Sequence, residues 1–322
     1  MTTTTSPQDA LADLVRAAKA DHAEPLWPLF AAVSPSEPQP KAVPYVWPYD
    51  TLRGYCERAA ELVGTELAER RVLMLVNPAL KAPFTTDTLF AGLQTILPGE
   101  TARAHRHTPF ALRFIIEGER SFTAVEGEKV MMSRGDLVLT PAREWHDHGN
   151  ESDRMMVWLD GLDHPIWQIV PAVFTEYLPD QTRYPSHELP SLSCRQYPWA
   201  EMQAQLDDVS GTTAEVRYRH RVHGGDISRT IGASGVRIDP GAATDTIRET
   251  SSAIYHVYEG SGQAAVGETQ LDWKRGDTFA VPAYRTTTLR NSGKERVYLF
   301  RFDDKPLLNA LGAYRSDRGA DR

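Results

Sequence analysis

The sequence predicts a mainly β chain built by internal duplication, with a partly helical arm at its N-terminus. Three observations lead there. From Arg71 onward, short runs of alternating apolar and polar residues are separated by turn signals at Pro98-Gly99, Glu126-Gly127 and Arg134-Gly135. The same punctuation returns later in the chain at Pro240-Gly241, Glu259-Gly260 and Gly276-Asp277. Finally, His105 and His107 stand one residue apart in one such run, and His146 follows another that stops at Pro141.

The elements follow in order. Leu11, Leu14, Val15 and Ala18 recur at helical spacing, which predicts a helix from residue 7 to about residue 20. Prolines at 25, 28, 35, 38, 40, 44 and 48 then favour an extended segment over regular structure. A second helical stretch covers residues 49–67 and leads into a strand at 71–76, the first of a β series that runs to about Leu162. Within it, Gly135-Asp136-Leu137-Val138-Leu139-Thr140-Pro141 reads as a turn feeding a strand. Residues 164–225 are polar and proline-spotted, with little periodicity. Beyond them the first series is repeated: Glu117-Gly118 matches Glu259-Gly260, Gly135-Asp136 matches Gly276-Asp277, Pro141 matches Pro282 and Asn150 matches Asn291. The predicted organisation is an arm over 1–70, a first β unit over 71–162, a linker over 163–225 and a second β unit over 226–322.

Composition narrows the function. A chain of 322 residues can bury a substantial core, and a net charge of -8 without any basic run disfavours a nucleic-acid partner. No apolar stretch approaches the ~18 residues of a membrane span, and Met1-Thr2-Thr3-Thr4-Thr5 lacks the regions of a signal peptide, so a cytoplasmic enzyme for small molecules is expected. Cys56 and Cys194 form no Cys-x-x-Cys pair and are too few for a disulfide framework, which makes both packing residues.

The histidines carry the chemistry. Side chains alternate across a strand, so His105 and His107 share one face, and a return strand ending at His146 would bring a third imidazole to them. Three neutral imidazoles suit zinc, copper, iron or nickel, and spacing does not choose among these. In the second copy the matching positions are Ile247, Glu249 and Thr287, so that unit is expected to be metal-free. Arg113 lies eight residues after His105, an even offset that turns it to the same face. A buried cation there needs an anion, which is either an internal carboxylate such as Asp160 or the carboxylate of a substrate. His148, two residues after His146, shares its side of the strand and is either a proton-handling neighbour or a rim histidine.

The two blocks around these histidines resemble the signature motifs of the cupin superfamily. Ala104-His105-Arg106-His107, Ala111-Leu112-Arg113-Phe114-Ile115-Ile116-Glu117-Gly118 and Trp145-His146-Asp147-His148-Gly149-Asn150 resemble the gentisate 1,2-dioxygenase family, which includes salicylate and 1-hydroxy-2-naphthoate dioxygenases. The resemblance implies a bicupin, two jelly-roll β-barrels, with Fe(II) on His105, His107 and His146 of the first. The glutamate that usually completes the first motif is Ala111 here, which implies an open position for substrate and O2. The implied reaction is cleavage of an o-hydroxybenzoate between the carboxyl-bearing and hydroxyl-bearing carbons with both oxygen atoms incorporated, gentisate giving maleylpyruvate. Salicylate, a substituted salicylate and 1-hydroxy-2-naphthoate are the alternatives within that class, and a non-catalytic bicupin that binds an aromatic acid is the alternative outside it. The resemblance further implies that Arg113 takes the substrate carboxylate and that His148 bonds the substrate hydroxyl or oxygen. It places Gln94 and Asp160 in the pocket, and either Arg70 or Arg71 as a second substrate-binding arginine. Phe90 stands where relatives carry tyrosine or tryptophan, and Thr108-Pro109-Phe110 replaces a more polar stretch, so the pocket is expected to be more apolar than usual. A homo-oligomer, a tetramer by resemblance, is expected.

Overall fold

A computed structural model of the chain describes residues 6–64, 70–179 and 182–318. It divides into two compact units, Met1–Gln39 and Pro40–Arg322. The first unit holds the predicted helix, Pro7–Ala20, whose first turn is capped by the Ser6 hydroxyl on the Asp9 amide and in which no residue is buried. The proline-rich run is not extended throughout. Pro28 and Pro35 bracket a stretch that proline does not interrupt, and Phe30–Val33 form one helical turn there.

In the second unit, the helix after the prolines spans Tyr49–Leu62, shorter than the predicted 49–67; residues 65–69 lie outside the described residues. Two barrels follow, each made of two sheets. One sheet of the first barrel orders the strands Gln196–Tyr197, Leu137–Thr140, Ala111–Glu117, Met156–Leu162, Phe90–Ile96 and Arg71–Met74. The facing sheet orders Thr175–Tyr177, Thr101–His107, His146–Asn150, Glu119–Val125, Glu128–Ser133 and His187–Glu188. The second barrel repeats this plan with a six-stranded and a five-stranded sheet. No described helix is long and apolar enough to cross a membrane.

The repeat is visible in the hydrogen bonds as well as the strand order. Asn150 Nδ2 donates to the carbonyls of Ile96 and Arg154, and Asn291 Nδ2 donates to those of Ile238 and Glu295, so each asparagine ties the same corner of its barrel. Gly118 has φ +97° and Gly260 has φ +89°; a Cβ on Gly118 would lie 1.8 Å from Met156 Sδ, so no side chain fits there.

The stretch read as a linker, residues 163–225, is instead part of both barrels. Thr175–Tyr177, His187–Glu188 and Gln196–Tyr197 add strands to the first barrel, and Thr213–Arg217 adds one to the second. These pieces are too short to show a period of their own; their partners' open edges hold them. The arm boundary moves for the same reason, because Tyr45–Trp47 pairs with Thr278–Val281 of the second barrel.

Each inner strand is buried on both faces. In Ala111–Glu117, Arg113 and Ile115 point into the first barrel, while Leu112, Phe114 and Ile116 point out against the second. The Phe114 and Phe300 rings stack across that joint at 4.3 Å and 9°. Phe300→Ala is therefore expected to cost about 3–5 kcal/mol. The check is a denaturation midpoint measured beside metal content: the midpoint falls, and the metal content stays at the wild-type level because Phe300 faces away from the first barrel's interior.

Candidate active site

The strand Thr101–His107 carries His105 and His107 on its inward face, and His146 stands directly across from His105 in the register with His146–Asn150. One ring nitrogen from each of the three lies within 4.8 Å of the other two, and all three side chains are buried. Their Nδ1 atoms meet the main-chain carbonyls of Arg103, Pro109 and Glu144 at 2.8, 2.8 and 2.9 Å. A carbonyl only accepts, so each Nδ1 carries the hydrogen and each Nε2 presents a lone pair. The Nε2 atoms of His105 and His146 are buried without any partner. Leaving buried acceptors unsatisfied costs about 1–3 kcal/mol each, and a divalent metal at their common focus removes that cost, so the donor set fits a metal.

Burial also keeps the triad uncharged. It pushes His105 down to about 2, helped by the charge of Arg70, and His107 down to about 4 for the same two reasons. His146 is lowered well below the usual histidine range by burial and by the neighbouring imidazoles. Neutral imidazole is the form that binds metal.

Arg113 sits beside the triad on Ala111–Glu117, fully enclosed. Its Nε lies 3.3 Å from Asp160 Oδ1, its Nη1 donates to the Thr140 hydroxyl, and its Nη2 donates to His148 Nε2 at 2.9 Å. Asp160 is the register partner of Arg113 and also accepts from Trp158 Nε1 at 3.1 Å. Burial pushes the Asp160 carboxyl up to about 6 despite Arg113 and Arg70, and lowers Arg113 to about 10. The internal ion pair with Asp160 is thus present. It uses the Nε edge and leaves one hydrogen on each Nη.

Of the two adjacent arginines, Arg70 is the one whose charge reaches His105, His107, Arg113, His148 and Asp160. Arg71 is a correction to the substrate-binding set: it is held on both Nη atoms by the Glu100 carboxylate and on Nε by the Val63 carbonyl, so its guanidinium is committed elsewhere. Gln94 is buried across from Trp158 on Phe90–Ile96, and the Phe90 ring occupies the space where a Cβ on Gly92 would stand. Sequence reasoning missed Thr140 and Thr123, whose hydroxyls hold Arg113 and His148. For Thr140, an inward hydroxyl beside Val138 in the apolar run Leu137–Thr140 was the available signal; Thr123, on one face with Ser121, offered none.

Comparison with known proteins places this geometry. A cupin domain model matches residues 92–161. A gentisate 1,2-dioxygenase from Streptomyces sp is 35% identical over 92% of this chain and 92% of its own. The chain belongs to the gentisate 1,2-dioxygenase family. A 5-aminosalicylate 1,2-dioxygenase from Comamonas sp is 34% identical over 90% of this chain and 86% of its own. A salicylate 1,2-dioxygenase from Pseudoaminobacter salicylatoxidans, solved as an adduct with gentisate, matches at a TM-score of 0.90 and 31% identity over 99% of this chain and 97% of that one. The bicupin architecture of this family is the one observed here.

The second barrel keeps the backbone of this site without its donors. Ile247 pairs with Thr287 as His105 pairs with His146, and Glu249 is held by Arg301 and by the Tyr314 hydroxyl at 2.9 Å. Among the described residues no other group of three histidine, cysteine or acidic ligands converges as the triad does. Metal analysis should therefore find one tight site per chain, abolished in the triple variant His105→Ala, His107→Ala and His146→Ala. Two tight sites, or one that survives the triple variant, would contradict it.

A pH dependence follows from the same burial. Imidazoles that are neutral in the fold and charged in the unfolded chain below about 6.5 mean that the unfolded state binds more protons there, so stability falls as pH falls. Each contributes a slope of about 1.4 kcal/mol per pH unit well below 6.5. Asp160 and Asp304, both raised to about 6, work in the opposite direction but are shared by the comparison variant below, so they cancel between the two. The metal-free protein should lose melting temperature between pH 7 and pH 5. The variant with glutamine at all three histidines should lose less, and equal slopes would refute the assignment.

Proposed function

We propose that the chain is an Fe(II)-dependent dioxygenase that opens the ring of gentisate between its carboxyl-bearing and adjacent hydroxyl-bearing carbons, giving maleylpyruvate. The observation that carries the proposal is the convergence of three uncharged imidazoles beside a buried arginine with free Nη hydrogens, in a chain matched over 92% of its length by a gentisate 1,2-dioxygenase and in fold by a salicylate 1,2-dioxygenase solved as an adduct with gentisate. Iron on His105, His107 and His146 would supply the redox coupling between an electron-rich ring and O2.

The remaining work falls to the chain's own side chains. Arg113 and Arg70 are read as the cations that draw and orient the substrate carboxylate, with Asp160 and Trp158 holding the Arg113 fork in place. A carboxylate that accepts from Arg113 Nη2 in place of His148 frees the His148 Nε2 lone pair, which then serves as acceptor for the phenolic proton. Gln94 is read as a polar wall of the pocket, and Phe90 as the apolar face against the ring. That apolar face favours a second reading on one point. No side chain placed here bonds a 5-hydroxyl, so a salicylate with an apolar or amino substituent, or 1-hydroxy-2-naphthoate, is the next substrate in line.

The same reading takes the protein to be a cytoplasmic homo-oligomer, a tetramer by resemblance. The helix Pro7–Ala20 buries none of its apolar side chains, and Trp27, Phe30 and Val33 are exposed, which supports a partner surface on the arm.

Oxygen uptake by the iron-loaded protein over a panel of gentisate, salicylate, 5-aminosalicylate and 1-hydroxy-2-naphthoate tests the activity and ranks the substrates. Gentisate is expected to be the fastest. Absence of uptake on the whole panel would leave a binding protein instead. Arg113→Met should retain one metal per chain and weaken substrate binding at least about tenfold, since a charge-assisted bond of roughly 1.5–3 kcal/mol is lost. Arg113→Lys should recover only part, because an ammonium lacks the planar two-point contact. Unchanged substrate affinity in Arg113→Met with a lower melting temperature would reduce Arg113 to the partner of Asp160.

A further inference from the structure

We infer that Thr123 is a positioning residue for the reaction: its hydroxyl fixes His148 in the tautomer that presents the Nε2 lone pair to Arg113 and the pocket. The inference deepens the proposed function and rests on its assignment of His148 as acceptor.

The argument is one of hydrogen-bond polarity. A guanidinium only donates, so His148 Nε2, 2.9 Å from Arg113 Nη2, must be the bare nitrogen of the imidazole. The ring hydrogen is then on Nδ1. Thr123 lies directly opposite His148 in the register between Glu119–Val125 and His146–Asn150, and its Oγ1 is 3.0 Å from that Nδ1. The hydroxyl accepts from Nδ1 and passes its own hydrogen to Met132 Sδ at 3.4 Å. Both Thr123 and His148 are fully buried, and no water can replace a missing partner without a cavity to hold it.

The chain of donors therefore runs one way, from Arg113 to His148, from His148 to Thr123, and from Thr123 to Met132. Without the hydroxyl, Nδ1–H faces an apolar wall, and the competing tautomer places a hydrogen on Nε2 against the donors of Arg113. Either outcome removes the lone pair from where a substrate hydroxyl would meet it. This histidine differs from the metal triad in the acceptor that sets its tautomer. Main-chain carbonyls hold the three ligands, whereas a side chain that can be substituted holds His148.

The test uses the full iron-loaded chain and, for spectroscopy, the metal-free chain labelled with 15N-histidine. Thr123→Val keeps the shape and removes the hydroxyl. It should lower kcat at least about tenfold, leave the dissociation constant of the o-hydroxybenzoate within about threefold and retain one metal per chain. Thr123→Ser should restore kcat to within about threefold. In the wild type the His148 nitrogens should read as protonated Nδ1 and bare Nε2, and this pattern should be lost in Thr123→Val. Wild-type kcat in Thr123→Val, failure of Thr123→Ser to recover, or a protonated Nε2 in the wild type would each overturn the inference. If the wild type opens no o-hydroxybenzoate ring, the proposed function fails, while the nitrogen pattern still decides the positioning. The wild-type pattern and the serine variant decide it also if Thr123→Val does not fold.

Discussion

The first barrel is organised around one enclosed guanidinium. A charge with no solvent must be matched from every side, and Arg113 meets that demand with a carboxylate at Asp160, a hydroxyl at Thr140 and an imidazole at His148. Each partner comes from a different strand. Satisfying Arg113 therefore also sets where those strands and the residues beside them lie, including His146 two positions before His148. Asp160 is one carboxylate facing two cations, since the charge of Arg70 reaches it as well as that of Arg113. What the internal pair leaves over is positive potential in a low-dielectric mouth, which is the property a site for an aromatic acid requires.

The duplicated barrel shows what happens when the same backbone is given a different interior. Tyr255 replaces Arg113, and its register partner is Arg301 where the first barrel has Asp160. The cation has moved one strand over. There it is met by Glu249, Glu215 and Asp303, and Asp303 in turn pairs with Arg217. Glu249 occupies the position of a metal-binding histidine and is consumed by this network. The second barrel spends its polar groups on one another, and the outward face of its six-stranded sheet spends its apolar surface on the first barrel through Phe300, Phe302 and Tyr298. Its contribution is a rigid back for the strands that carry Arg113 and Asp160.

At the joint, polar groups add register to that apolar contact. Asp304 accepts from the Ser251 hydroxyl, the Ser252 amide and Thr88, and the Thr86 and Ser252 hydroxyls meet at 2.9 Å. Burial pushes the Asp304 carboxyl up to about 6, helped by the neighbouring charge of Asp303. Directional bonds of this kind fix how two apolar faces slide over each other, which contact area alone leaves free.

The sequence by itself determined the β class, the duplication, the three metal-directed histidines and the inward face of Arg113. Each of these depends on alternation, on residues whose backbone needs are local, or on an even spacing along one strand, and none needs to know what lies across the barrel. Gly118 and Gly260 at positive φ and the twin corners at Asn150 and Asn291 were legible on the same grounds. Tertiary structure decided everything that depends on a second strand. Arg70 and Arg71 are indistinguishable until Glu100 claims one of them. Residues 163–225 carry no period because their strands are held by edges far away in sequence. Thr123 and Thr140 are ordinary hydroxyls until the register sets His148 and Arg113 against them. A strand's own residues specify which way its side chains point, but only its neighbours specify what those side chains meet.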